Sequence, residues 1–237
     1  MQLTSEQLTA LGRLATSEVA DAIETFQVQL RNVGFADGTI RCCFDELPPV
    51  VGYAATARIR TAIPPMVGAA YADRLDWWTS VRATPGPQIV VIEDADAHPG
   101  LGALVGELQG TVLRALGVVG IVTNGALRHL PQLRALGLQC FAHQVVPSHA
   151  YAHVFEFNVP VRVGGLEIAP GDLLHGDRNG LVRVPAAIAA DVPAAAAQLR
   201  RLNAQILALT HSDAFDLERL RDLFAARHAD PKSGDSR

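Results

Sequence analysis

Glu107, then twenty intervening residues, then Arg128 followed by His129, is the arrangement in this 237-residue chain with the clearest chemical content. A guanidinium fork pairs bidentately with a carboxylate or phosphate. A glutamate can hold a water or a proton, and an imidazole can move a proton or bind a metal. Gly106-Glu107-Leu108-Gln109 reads as the start of a helix, whose unpaired backbone N–H groups favour an anion, and Arg128-His129 reads as lying just past the next strand. In a strand–helix–strand unit the start of the helix and the end of the following strand lie at the same sheet edge. The spacing therefore predicts that Glu107 and Arg128 meet at a cleft for a small anion. Each residue also has a plainer use: Arg128 in a surface or subunit salt bridge, Glu107 as a carboxylate stabilising the helix dipole, and His129 as a hydrogen-bonded loop residue.

Other groups compete for attention. His149 and His153 are four apart, which would place them on one face if that stretch were helical, and His175 is a further candidate for the same neighbourhood. Asp94 and Asp96 follow a strand, where they either face a ligand or form a turn. Trp77-Trp78, beside Arg74 and Asp76, read as a subunit contact ahead of a cover for the cleft. Cys42, Cys43 and Cys140 are an odd set without C-x-x-C spacing, which fits a reduced, cytoplasmic setting.

The elements that must carry these residues follow from pattern. Thr4 and Ser5 are N-cap candidates before Leu8, Leu11 and Leu14, and Thr16 or Ser17 opens a second helical run through Val19, Ile23 and Phe26. Residues 52–63 alternate as a strand ended by Pro64-Pro65, and 67–83 read as helical. From 88 to 142 the order is strand, helix, strand, helix, strand: a buried strand 88–92, a helix with Val105, Leu108, Val112 and Leu116 on one face and a stop at Gly117, a strand 118–123, a short helix with Leu130, Leu133 and Leu136, and a third strand. That order demands parallel pairing under covering helices. Residues 159–185 read as hairpins punctuated at Gly164-Gly165, Pro170-Gly171-Asp172 and Arg178-Asn179-Gly180. Residues 186–227 read as helical, with Pro193 starting or breaking a helix. The expectation is one α/β domain over 1–227, with a core over 5–205 and a disordered tail from 228 to 237.

Composition narrows the function. A 49% hydrophobic content supports a substantial core, and a net charge of −4 without any run of five like charges speaks against nucleic-acid and membrane-surface partners. No apolar run approaches the ~18 residues of a membrane span, and the first residues read as lacking a secretory signal. A glycine-rich cofactor loop followed by a ribose-binding acid is missing, so a methyltransferase role has no support; Gly164-Gly165 is a hairpin turn.

Several blocks fall in a recognisable order: Val19-Ala20-Asp21-Ala22-Ile23-Glu24, Pro85-Gly86-Pro87 with the strand after it, Gly120 to Ala126, Pro160-Val161 to Gly164-Gly165, and Pro170-Gly171-Asp172 through Val184-Pro185. With the Glu107 and Arg128-His129 string, they resemble the class II pyruvate aldolases that cleave 4-hydroxy-4-methyl-2-oxoglutarate, a family that also holds the regulators of ribonuclease activity A. The resemblance implies an αββα sandwich related to swivelling domains, with a mixed sheet containing parallel βαβ units. It also implies a homotrimer or a dimer of trimers with sites at subunit interfaces. In such a site a magnesium or manganese ion, held by an Asp after the Arg and by waters on the earlier carboxylate, stabilises a pyruvate enolate. Carried over, Arg128 is the substrate clamp, Glu107 the water-holding carboxylate, and the amides of Leu108 and Gln109 beside Gly106 the carboxylate cradle. This chain departs from the pattern at three places: Glu107 replaces Asp, His129 replaces the ligand Asp, and the interface Glu of the C-terminal helix falls at Asn203 of a neighbouring subunit. His129 shifts the metal expectation from magnesium towards manganese, zinc or none, because magnesium prefers oxygen ligands. The functional expectation is a lyase acting on a small 2-oxo or 2-hydroxy acid by retro-aldol cleavage or oxaloacetate-type decarboxylation. The alternative is a non-catalytic binding or regulatory protein with a degenerate metal site.

Overall fold

The computed structural model describes residues 2–66 and 74–228. In chain order its elements are α1 (Ser5–Leu11), α2 (Thr16–Thr25), β1 (Arg41–Cys42), β2 (Val50–Arg60), α3 (Leu75–Ala83), β3 (Gln88–Asp94), α4 (Glu107–Ala115), β4 (Val118–Leu127), α5 (Leu130–Ala135), β5 (Gln139–Val145), β6 (His153–Phe157), β7 (Val161–Val163), β8 (Leu166–Ile168), β9 (Leu173–Asp177), β10 (Gly180–Val184), α6 (Val192–Thr210) and α7 (Leu217–His228).

The mixed sheet runs β1-β5-β4-β3-β2-β9-β10, with β6 also on β2, and a separate β7-β8 hairpin lies apart from it. Strands β2, β3, β4 and β5 are mutually parallel, as the strand–helix alternation requires, while β1, β6 and β9 pair antiparallel. Burial shows why the apolar runs are continuous. Val90, Ile92, Ile121 and Cys140 face the cluster under α3, α4 and α5, whereas their neighbours Ile89, Val91, Val122 and Phe141 face Val161, Val163, Leu166 and Ile168 of the hairpin. A sheet covered on both sides has no face left for polar alternation. Further along, Val51 and Tyr53 meet α1, α2 and α6 through Leu11, Val19, Val192 and Leu199.

Local signals hold at the helix ends. Thr4 forms a capping box with Gln7, and Pro193 sits in the first turn of α6, where a missing N–H costs nothing. The glycine turns at Gly164-Gly165 and Gly180 adopt positive φ, as hairpins there require.

Four expectations are corrected. β4 runs on to Leu127 rather than stopping at Thr123. The inward face of α4 holds Gln109, Gly110 and Leu113, while Leu108 is 67% exposed; helix α4 begins later than the apolar spacing from Val105 assumed. Trp77 is 1% exposed inside the core under α3, so it anchors no subunit contact. Helix α7 runs through His228, which was expected to open the tail. Residues 229–237, and 67–73 of the stretch read as helical, lie outside the described residues.

Candidate functional site

The backbone brings the predicted residues together before any side chain is considered. The β3–β4 ladder ends at Ile92 and Thr123, beyond which the Asn124 side chain stands in for a strand partner: its Oδ1 accepts from Asp94 N at 2.7 Å and its Nδ2 donates to Asp94 O at 3.1 Å. Strand β4 then rejoins β5 at Ala126 and Leu127, and Leu127 bridges in parallel to Val105. Arg128 N donates to Val105 O at 3.1 Å. The loop ahead of α4 is thereby tied to the end of β4.

Gly106 caps α4 in an extended conformation open to any residue, yet a Cβ there would lie 2.8 Å from Arg128 Cγ and 3.2 Å from His129 Nδ1. Arg128 and His129 thus lie directly against the start of α4, as the spacing predicted. Arg128 is half-buried, and its Nε is sequestered without a hydrogen-bond partner among the described residues. A buried guanidinium N–H left unpaired is costly. An anion arriving beside it satisfies that donor. Glu107 is exposed at the first position of α4, and the amides of Leu108 and Gln109 belong to the first turn, whose N–H groups lack intrahelical acceptors. Gln109 is only 6% exposed and its Oε1 also lacks a partner, a feature that sequence spacing did not reveal.

His129 adopts the left-handed conformation (φ 54°, ψ 45°) as it caps α5, whose first turn contains Pro131. Its Nδ1 lies 3.3 Å from Glu107 N and its Nε2 lies 3.0 Å from Arg128 Nη2. Both neighbours are donors. No group of three or more His, Cys, Asp or Glu side chains converges to hold a metal among the described residues. Asn203 lies on α6, which packs against α1, α2 and α7 over the β9–β10 end of the sheet, away from α4 within one chain. The donors of a single chain therefore do not fit a magnesium ion at this site.

The histidines separate. His149 stands in the loop between β5 and β6, where burial lowers its pKa and the positive charge of nearby Arg128 lowers it further. Of the three histidines it is the one whose loop packs beside the approach to α4. Ser148 O accepts from Ala103 N at 3.0 Å, and a Cβ on Gly102 would meet His149 O at 2.2 Å, so this loop presses against the approach to α4. His153 belongs to β6 with Nδ1 2.7 Å from Tyr151 O, and Ala150 between them has φ 48°; the two do not share a helical face. His175 is fully buried elsewhere, between Thr16 Oγ1 at 2.9 Å and Leu11 O at 3.1 Å.

Asp94 and Asp96 act as turn builders. Burial raises the Asp94 pKa against hydrogen bonds from Gly100 and Asp96; its Oδ2 accepts from Gly100 N at 2.7 Å, and Gly100 O accepts from Gln144 at 2.7 Å. Asp96 accepts from Thr61 N and Ala62 N. These bonds fix the loop that feeds α4. A separate cavity of about 580 Å³ opens at the opposite end of the sheet among Leu3, Tyr53, Pro85 and Arg183. Its Arg183 pairs with Asp172 at 3.5 Å, so it lacks the orphaned cationic donor that marks the Arg128 site.

Comparison with known proteins agrees with this architecture. A family model described as "RraA-like: Aldolase/RraA" matches residues 16–183. A Halalkalibacterium halodurans protein named "Putative 4-hydroxy-4-methyl-2-oxoglutarate aldolase" is 31% identical over 105 residues, covering 44% of this chain and 49% of the relative. The chain spans about half the length of the curated relatives it matches. Among solved structures, an uncharacterized protein from Pseudomonas syringae pv. tomato aligns with a TM-score of 0.71 at 20% identity over 94% of this chain and 95% of that one. Streptomyces coelicolor RraAS2, described as an unusual member of the RNase ES inhibitor RraA protein family, aligns with a TM-score of 0.65 at 20% identity over 85% and 96%. Both structural likenesses concern the fold. No helix among the described residues is long and apolar enough to cross a membrane.

Proposed function

The chain belongs to the RraA-like family, and from that membership and the geometry at α4 we propose that it binds a small 2-oxo or 2-hydroxy acid through Arg128 and acts on it as a carbon–carbon lyase. The observation that carries the reading is the Arg128 Nε, buried and unpartnered against the first turn of α4. The guanidinium and the amides of Leu108 and Gln109 take the substrate carboxylate and the neighbouring 2-oxo oxygen. In a retro-aldol step the carboxylate of exposed Glu107 takes the proton of the substrate hydroxyl through a bound water, and the carbon bearing that oxygen becomes a carbonyl. The bond between the carbon bearing that hydroxyl and C3 breaks, and its electron pair moves into an enolate whose oxygen faces Arg128. A proton returned to C3 completes pyruvate. Fixed donors aimed at a developing enolate oxygen lower its barrier without reorganising. Because one chain's donors do not fit magnesium, no step here is routed through a metal. The trimer implied by the resemblance, with Asn203 of a neighbouring subunit near the site, is part of this proposal, as is a cytoplasmic setting.

The test is pyruvate release from a panel of 4-hydroxy-2-oxo acids and oxaloacetate. Arg128→Ala is expected to lower the rate by about 10²-fold or more. Inactivity of the wild-type chain on the whole panel, with and without added divalent metal, would defeat the lyase reading.

A second reading has its own observation. His129, whose two ring nitrogens each face a donor on a neighbouring residue, stands where the aldolases carry a ligand Asp. That favours a binding or regulatory protein with a degenerate metal site. A specific protein partner retained by Arg128→Ala would support it, and the absence of any partner would oppose it.

A further inference from the structure

The position after Arg128 is where a metal ligand is expected, yet the geometry around His129 describes something else. A neutral imidazole has one N–H and one acceptor nitrogen. The Nδ1 of His129 faces Glu107 N–H at 3.3 Å, and its Nε2 faces the Arg128 guanidinium at 3.0 Å. Both ring nitrogens therefore face donors rather than open space. Whichever tautomer is present, one contact is a hydrogen bond and the other sets donor against donor. The left-handed backbone of His129 as the cap of α5 and the missing side chain at Gly106 let the ring lie directly against the start of α4. A cation bound at Nε2 would sit beside a permanently charged guanidinium, and the described residues supply no cluster of three acidic, histidine or cysteine groups to offset that repulsion.

We propose that His129 is a positioning residue for Arg128 rather than a metal ligand, and that the site binds carboxylates without a metal. The donor-against-donor contact is relieved when an anion draws Arg128 Nη2 to itself and His129 settles as the acceptor of Glu107 N–H. The ring thereby holds Arg128 at the mouth of α4 while the site is empty and gives it up to a ligand. Arg128 Nε, already sequestered without a partner, is the second donor that the anion engages. This inference goes beyond the lyase reading and does not require it: binding proteins and enzymes share the same anion site.

The experiment uses oxalate, a planar dianion with the geometry of a pyruvate enolate, titrated calorimetrically into the full chain in EDTA and then in magnesium, manganese or zinc, beside metal analysis of the purified protein. Wild-type protein is expected to bind oxalate equally in EDTA and in each metal, and to carry substoichiometric metal. His129→Phe, which keeps a ring and removes both nitrogens, is expected to lose about tenfold in affinity, still without metal dependence. His129→Asp is expected to make oxalate binding manganese-dependent. Loss of wild-type binding in EDTA, or a stoichiometric metal that disappears in His129→Phe, overturns the proposal. If oxalate fails to bind under every condition, the carboxylate site itself falls. Metal uptake then decides the role of His129 separately: uptake by His129→Asp alone supports a non-ligand role, and uptake by wild type overturns it.

Discussion

At the scale of single residues, the site is set by what is missing at Gly106 as much as by what is present at Arg128. The Gly106 backbone is extended and would accept a side chain, but a methyl group would press on Arg128 Cγ at 2.8 Å. Gly106→Ala is expected to displace the guanidinium by a few tenths of an ångström or more and to weaken carboxylate binding about tenfold, while the thermal unfolding temperature changes little. Unchanged affinity in that variant, measured by titration, would show that Arg128 has room to spare. The Glu107 and Arg128 positions were legible because each follows from element order alone. Gln109 and His149 were named from the sequence too, Gln109 for its backbone amide and His149 for its spacing from His153, but not for the way the fold uses them. The burial of the Gln109 side chain depends on where α4 starts, and His149 is set against the approach to α4 by a loop whose path no periodicity encodes.

At the scale of elements, the α1–α2 hairpin is fastened to the sheet by a buried polar knot. His175 on β9 bridges Thr16 Oγ1 and Leu11 O, and Asp177 accepts from Thr16 N at 3.0 Å and from Asn179 N at 2.7 Å. Burial holds the His175 pKa below its ordinary value of 6.5, outweighing the nearby carboxylate of Asp177. Because the folded chain resists protonating this ring while the unfolded chain does not, its stability is full above about pH 6.5 and falls as pH drops towards the depressed folded value. For Asp177 burial raises the pKa, but the hydrogen bonds from Thr16 and Asn179 lower it overall, so its contribution is present above the ordinary 3.8 and lost only below it. Thermal unfolding is therefore expected to stay flat from pH 8 to about 6.5 and then decline. His175→Gln is expected to be less stable at pH 7.5 but flatter between pH 6.5 and 5, and an equally steep decline in that variant would assign the acid sensitivity elsewhere. The helices fastened by this knot could be read from apolar spacing and caps, and the β9–β10 hairpin from its turn at Arg178-Asn179-Gly180. Strand β4 could not be read to its end, because the Asn124 side chain substitutes for a backbone partner and lets the strand continue through what looks like a turn.

At the scale of the whole molecule, helices cover one side of the sheet and the β7-β8 hairpin covers the other, and the parallel strands β3 and β4 end where α4 begins. That topology puts Glu107 and Arg128 at the carboxyl edge, where parallel sheets bind ligands and where we propose the anion site. Element order announced it, and side-chain chemistry at Arg128 gave it a sign. Asn203, expected to complete the site from a neighbouring subunit, lies on α6 over the β9–β10 end of the sheet, which one chain alone cannot bring to α4. The most direct measurement is calorimetric titration of pyruvate into the wild-type chain and into Arg128→Ala. Saturable binding by the wild type, lost in Arg128→Ala with the fold intact, is the predicted result; equal affinity in both would contradict a carboxylate site at Arg128.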